Sequence, residues 1–425
     1  MNQHIFIFEL YNHVHFPMFL RCWLNEWRSN DMRGHMTLLV TRAFMRTQPD
    51  LVRLAETMPR ANITFMMPTQ AERDHLKRLT AQSSPDDIRF SDLLRTSYDF
   101  DPRNRHKTVL DLFNRYAAQI GADINLHTYI DDELPLIVSG APLPPFTAAL
   151  HLMPVFHHAA RFGTGTAAYD LSAALQQKFA VARVLRNPNL KRLLYIDPYV
   201  VDALRGFEHG EKAVFLPEPV IMETPSPGAV TALRHQLGIE PPRKVLLVFG
   251  SVNKRKGIDT LVEALLRLPS RAAQAVCLVV AGKIDPDYRA IIDTLVQTLT
   301  THTPVQIIRH DHYIADADIP AFFHMADVCC ALYRRHWGPS NFVLLAAAAA
   351  RPILSTSQGL MGYLVREHGL GITADVENID QVVTALERLL DAPESVLSPA
   401  DQRAAFVAQH DPTAFARAFF AALSD

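Results

Sequence analysis

Between Ala326 and Gly371 the chain reads ADVCCALYRRHWGPSNFVLLAAAAARPILSTSQGLMGYLVREHGLG, and no other stretch restricts the fold as much. Val328 to Leu332 is an apolar run long enough for a buried strand and too short for a helix. Tyr333 to Pro339 forms a loop carrying Arg334, Arg335, His336, Trp337 and Gly338. Ser340 is placed to cap a helix, its hydroxyl accepting a free first-turn N–H. The body Phe342 to Ala350 is rich in alanine, the best helix former. Pro352 ends it, Ile353 to Ser355 makes a second strand, and Gln358-Gly359 turns into a helix over Gly362 to Glu367.

Strand, loop, helix repeated is the unit of an open parallel sheet, which binds ligands at the carboxyl ends of its strands. Loop 333–340 and turn 356–360 fall at that edge. A helix N-terminus at Ser340-Asn341 suits a phosphate, through free N–H groups and the positive end of the dipole. For the helix, ordinary scaffold explains the alanines. For the loop, ligand binding explains Gly, Pro, Ser, Asn, two Arg and a Trp better than scaffold does.

The pattern resembles the C-terminal half of retaining glycosyltransferases of family 4, which have the GT-B fold. Ala326-Asp327, Gly338, Pro352 and Gly359 match the family's motif. The glycine of its Gly-x-Pro is Ala350 here. Its paired glutamates are absent, with Trp337 and Leu345 in their places; the second usually contacts the donor ribose. The resemblance implies two Rossmann-like, doubly wound α/β domains facing a cleft. It also implies hexosyl transfer from a nucleotide-diphosphate sugar, without a required metal.

The length of 425 residues suits about two domains. A 48% hydrophobic, 20% charged composition is that of a globular chain, and a net charge of −2 argues against nucleic acid as a partner. Cys22, Cys277, Cys329 and Cys330 sit in apolar runs without zinc spacing and read as buried free thiols of a reducing compartment. Met1 to His4 lacks a basic region and Glu9 interrupts the apolar run behind it, unlike a signal peptide. No run approaches the roughly 20 apolar residues of a membrane span. The expected location is cytoplasmic, with peripheral contact at the inner membrane face left open.

In the first half, strands are expected over His4 to Leu10, Met36 to Thr41, Asn62 to Met67, Asp123 to Tyr129, Ala148 to Val155, Leu193 to Ile196 and Ala213 to Leu216. Phe16 to Trp27 has helical spacing, and Glu72 to Ala122 reads as helix with a polar break at Asp101 to His106. The loop Asn12-His13-Val14-His15 stands where the resemblance puts the acceptor. His15 reads equally as an acceptor contact or a cap, and His13 and His127 join it on the acceptor side. Asp131-Asp132-Glu133 reads as a solvated turn or helix start. A metal site with His127 or His157 is the alternative, unsupported by ligand spacing.

Pro217, Pro219, Pro225, Pro227, Pro241 and Pro242 surround one short helix, Gly228 to Leu237, and mark a junction over 218–242. The domains are therefore read as 1–217, on the acceptor side, and 243–410, on the donor side. The tail 411–425 resembles the GT-B helix that returns to the first domain. In the second half, strands are expected over Lys244 to Phe249, Val276 to Ala281 and Val305 to Ile308. Helices are expected over Ile258 to Leu268, Asp287 to Leu299, Ile319 to Met325, Ile379 to Leu390, Pro399 to His410 and Pro412 to Leu423.

Gly250-Ser251-Val252-Asn253-Lys254-Arg255-Lys256-Gly257 puts three cations before a helix, at the end where the dipole is already positive. A bound anion would reverse that cost. By resemblance Lys256 contacts the donor diphosphate. The family's arginine position holds Ser251, so Arg255 is assigned that role. The order Gly-Lys-Ser/Thr of a Walker motif is absent. His310 and His312 share one face of an extended segment, as a metal pair would, but two ligands alone do not make a site, so they are read as a polar loop near the donor base; Trp337 either stacks on base or sugar or plugs the domain interface. The donor set is thus Gly250, Ser251, His312, Tyr333, Trp337, Gly338, Pro339, Ser340, Asn341 and Gly359, with Lys256 and Arg255 catalytic. A transferase-like scaffold without turnover is the second reading, favoured by the missing glutamates. A nicotinamide-dependent oxidoreductase is excluded because Gly-x-Gly-x-x-Gly follows neither first strand.

Overall fold

A computed structural model describes residues 3–11, 15–30, 32–58, 62–81, 102–154, 156 and 171–424. The chain divides into two compact units, one running to Pro219 and taking back Pro412–Asp425, the other including Val220–Asp411. Among the described residues, no sheet runs through both. Among the described residues, no helix is long and apolar enough to cross a membrane.

The first unit is built on β1 (His4–Glu9), β2 (His35–Val40), β3 (Asn62–Met66), β4 (Ile124–His127), β5 (Thr147–Leu150), β6 (Leu190–Tyr195) and β7 (Ala213–Phe215). All pairs are parallel, in the order 3-2-1-4-5-6-7. The second unit has β8 (Lys244–Phe249), β9 (Val276–Ala281), β10 (Gln306–His310), β11 (Val328–Ala331), β12 (Ile353–Thr356) and β13 (Gly371–Ala374). These too are parallel, in the order 10-9-8-11-12-13.

Helices cover both faces of such a sheet, so its strands read as continuous apolar runs rather than alternating ones. In β8, Leu246 and Val248 enter one core while Val245 and Leu247 enter another. The same period of two sends Cys330 and Cys329 to opposite cores. All four cysteines are buried.

Several boundaries differ from the sequence reading. The polar break expected at Asp101 to His106 is instead the start of the helix Pro102–Ile120. Pro102 opens it, since a proline in the first turn forfeits no intrahelical bond. Arg309 and His310 belong to β10 rather than to the loop behind it. The helix expected from Gly362 begins at Gly359. β13, a four-residue strand opening with glycine, has no local signal strong enough to announce it.

The helix Pro412–Ser424 is part of the first unit and lies on the helix Phe16–Ser29. Phe419 stacks on Trp23 with ring centroids 4.0 Å apart, and Phe415 lies 4.8 Å from Phe19. Arg417 reaches Glu26 at 3.1 Å, and Arg192 donates to the Ala422 carbonyl at 3.0 Å. Phe419→Ala is expected to cost about 3–5 kcal/mol in urea denaturation, as the loss of a buried aromatic ring does. Phe179→Ala, at a side chain 72% exposed, should change stability by less than about 0.5 kcal/mol.

The helix Asn341–Ala348 ends in a Schellman motif: Arg351 N–H bonds the Ala346 carbonyl and Ala350 N–H the Ala347 carbonyl. Ala350 is thereby held at φ +54°. A left-handed alanine costs about 1–2 kcal/mol, part of which glycine would give back in unfolded-chain entropy. Ala350→Gly should therefore raise stability by about 0.5–1 kcal/mol in the same assay.

Candidate functional site

The order 10-9-8-11-12-13 reverses direction between β8 and β11. Crossovers leave these two strands to opposite sides, so a crevice opens beyond their carboxyl ends. The loops Gly250–Gly257 and Leu332–Ser340 flank it. They touch backbone to backbone: Arg334 N–H donates to the Arg255 carbonyl at 2.9 Å. Gly257 has φ +65°, and a Cβ there would stand 1.9 Å from the Leu332 carbonyl oxygen. No other residue permits that approach. Behind the contact, Arg334 pairs with Asp259 at 2.9 Å and bonds the Thr260 hydroxyl, a structural pin at the foot of the next helix.

Lys256 closes a 3-10 turn, Lys254–Lys256, and Gly257 separates it from the helix Ile258–Leu266. The three cations thus stand directly before that helix, with only the left-handed Gly257 between. Lys256 is 6% exposed. Its Nζ donates to the Phe249 carbonyl at 2.8 Å and to the Tyr333 hydroxyl. It stands 4.4 Å from the Tyr333 ring centroid and 5.9 Å from that of Phe342, within cation–π range. Gly250, at φ +99°, faces the ammonium, and a Cβ there would lie 3.3 Å from Nζ. An ammonium has three donors. Two are used, and no described carboxylate pairs with the charge.

Arg255 joins the same ring, its guanidinium carbon 5.0 Å from the Tyr333 centroid. Its Nη1 lies 3.0 Å from His336 Nδ1, and His336 Nε2 lies 3.0 Å from the Pro339 carbonyl. Guanidinium only donates and carbonyl only accepts, so His336 is neutral with its proton on Nε2. Burial, with Arg255 beside it, pushes the His336 pKa down to about 3. His336 thus fixes both the guanidinium and the Gly338–Ser340 turn. Sequence reasoning passed over it; the one signal was a histidine standing between Arg335 and Trp337 in the loop.

Burial would raise the Tyr333 phenol, but the charge and hydrogen bond of Lys256, then Arg255 and Ser340, hold it below its ordinary value. Ser340 occupies the cap position of the helix Asn341–Ala348 without accepting a first-turn N–H. The capping expectation is thereby corrected, and the hydroxyl's nearness to Tyr333 instead helps hold the phenol down. Gly338 is buried, Pro339 and Asn341 are half-buried, and Gly359 backs onto the Trp337 carbonyl. Trp337 is half-buried, and its carbonyl accepts from Leu360 N–H at 2.9 Å. Ser251 is exposed, 3.5 Å from Asp285. His312 is exposed and edge-on to His310, with centroids 5.2 Å apart. The structure thus brings Gly250, Arg255, Lys256, Tyr333 and Ser340 together and leaves Ser251 and His312 outside that group.

In the first unit the order reverses between β1 and β4. His13 and His157 lie outside the described residues. His15 stacks on Phe19 and meets Glu218 at 2.9 Å. His127 is fully buried among Phe8, Phe113 and Tyr11. Its Nδ1 accepts Tyr129 N–H at 3.3 Å and its Nε2 faces Glu133 at 4.0 Å. Burial drives its pKa down to about 3. Both ring nitrogens face protein, so its place on an acceptor-facing surface is corrected.

The acidic triplet is the turn that opens the helix Leu134–Val138, as one of its expected readings had it, but only Asp132 reaches solvent: Glu133 is fully buried, bonded by the Tyr11 hydroxyl and 3.6 Å from His106. Asp131 accepts Leu152 and Met153 N–H groups, and burial raises its pKa to about 7. The reason is topological, since the β4 turn passes beneath the helix Pro102–Ile120 and the exit of β5. Among the described residues no three histidine, cysteine or acidic side chains are grouped to hold a metal ion.

Residues 243–392 match the family model for glycosyl transferases group 1. YtcC of Bacillus subtilis, which carries a glycosyltransferase name, is 29% identical over 152 residues, 34% of this chain and 35% of YtcC. A glycogen synthase of Mycobacterium tuberculosis is 27% identical over 149 residues, 35% of this chain and 34% of its own. The chain thus spans about a third of the length of these curated relatives. Among solved structures, Anabaena HepE in complex with UDP is 14% identical over 100% of both chains, with a TM-score of 0.61. WaaG, a glycosyltransferase involved in lipopolysaccharide biosynthesis, is 13% identical over 99% of this chain and 98% of its own, at 0.60. At these identities the likeness speaks to fold, and the fold is GT-B, with two Rossmann-like domains.

His336 also makes a pH prediction. It binds a proton in the folded chain only near pH 3, against 6.5 for the free side chain, so acid favours the unfolded chain. Its stabilising contribution is present above 6.5 and is lost as pH falls toward 3. The melting-temperature advantage of wild type over His336→Gln should therefore shrink steadily between about pH 7 and about pH 4.

Proposed function

We propose that the chain is a glycosyltransferase that moves a hexosyl group from a nucleotide-diphosphate sugar to an acceptor, with retention at the anomeric carbon. The second unit holds the donor and the first the acceptor. One observation carries this reading: a buried ammonium, Lys256, has neutral partners and an uncommitted N–H at the switch point of a GT-B domain. Burying a cation without a counter-charge is costly, and a bound anion removes that cost. The match to glycosyl transferases group 1 covers this same domain.

As the sugar–phosphate bond breaks, negative charge gathers on the leaving diphosphate. Lys256 and the exposed Arg255 are placed to receive it, with the amides of the Gly338–Asn341 turn beside them. Charges already in position cost no reorganisation at the moment of reaction. The proposed chemistry requires no metal. Its setting is the cytoplasm, at the inner membrane face if the acceptor is a lipid or envelope precursor. HepE was solved with UDP and with UDP-glucose, so uridine nucleotides are the first donors to try.

A second reading, a binding or scaffolding protein without turnover, is favoured by Leu345. This half-buried residue stands where the resembling family keeps its ribose-binding glutamate, and it offers no hydrogen bond.

Lys256→Met should weaken binding of UDP, GDP or ADP about ten- to a hundredfold in calorimetric titration, as loss of a charge-assisted phosphate contact does. Unliganded stability should stay within about 1 kcal/mol, because an apolar side chain of similar size replaces a buried charge. Wild-type binding to none of the three nucleotides would remove the donor site and move the scaffold reading ahead.

A further inference from the structure

Lys256 and Arg255 are adjacent cations, and both lie against one aromatic ring. Two like charges over one ring repel each other unless something holds them. The ring belongs to Tyr333, a side chain 2% exposed at the end of β11. It makes two distinct contacts. Its π face attracts both cations, and its oxygen accepts a hydrogen bond from Lys256 Nζ. Phenylalanine would keep the ring and lose that bond.

We propose that Tyr333 is a positioning residue that holds the Lys256 ammonium in the arrangement that receives the donor diphosphate. This deepens the reading of a nucleotide-sugar site and rests on it. Tyr333 acts through Lys256: its oxygen stands in for part of the anion while the site is empty, and a bound diphosphate takes over the uncommitted N–H. No bond is made or broken at the tyrosine.

A double-mutant cycle on the full chain tests this, with Tyr333→Phe, Lys256→Met and both together titrated with UDP, GDP and ADP. Tyr333→Phe alone should weaken binding about three- to tenfold, with a melting temperature near that of wild type. In the Lys256→Met background the same change should have almost no further effect, since the group it positions is gone. A purely structural tyrosine would give additive losses, and additivity overturns the inference. So does unchanged binding by Tyr333→Phe.

A ligand-free readout separates this from the donor reading. The difference in tyrosinate absorbance between wild type and Tyr333→Phe isolates one phenol among 11 tyrosines. That phenol should ionise below the usual range, and its midpoint should rise in Lys256→Met. A midpoint indifferent to Lys256 denies the contact and sinks the proposal. If the midpoint moves but wild type binds no nucleotide, the donor reading falls, and the positioning role for a diphosphate falls with it.

Discussion

Parallel strands cannot be joined by a hairpin, and that constraint shapes both halves of this molecule. Each crossover needs a helix, each helix covers a face of the sheet, and each strand must be apolar on both sides. The helices must also change sides somewhere. In the second unit they change between β8 and β11, and in the first between β1 and β4. The polar residues of the loops collect at these two reversals because the sheet faces have no room for them.

The two reversals are furnished with titratable groups of opposite kind. The second unit gathers Arg255 and Lys256 around Tyr333, while the first buries Glu9, Asp131 and Glu133 within or just beyond β1 and β4. The carboxylates are met by hydroxyls, backbone amides and histidines: Thr128 on Glu9, two N–H groups on Asp131, Tyr11 on Glu133. Lys256 is less well served, with one carbonyl, one phenol and two rings. In a low-dielectric setting an incompletely paired cation is the less stable arrangement. It is therefore the better candidate for a group kept for a ligand rather than for the fold.

The Ala350 turn illustrates how far the chain departs from the family it resembles without losing the geometry. A glycine would fit φ +54° without strain, and alanine adopts it because the Schellman bonds and the following Pro352 leave no alternative. The same helix carries Leu345 in the place of a ligand-binding glutamate. Backbone architecture is maintained by many contacts at once, whereas a polar ligand contact depends on one side chain.

Local pattern was enough for the strand–helix alternation, the parallel sheets and the loop Gly250–Gly257, since buried strands and amphipathic helices differ in period and in length. Lys256 itself was singled out by resemblance to a family's Lys-Gly, since local pattern left a solvated loop equally open. Local pattern was not enough for the orientation of that lysine, which depends on Gly257 approaching Leu332, a residue 75 positions away. Nor could it reveal that Ser340 leaves its own helix uncapped, that His336 locks Arg255, or that Asp131 and Glu133 are buried. Each of these is decided by a long-range neighbour competing with a local partner, and burial is a property of what lies above a residue, not of its place in the chain.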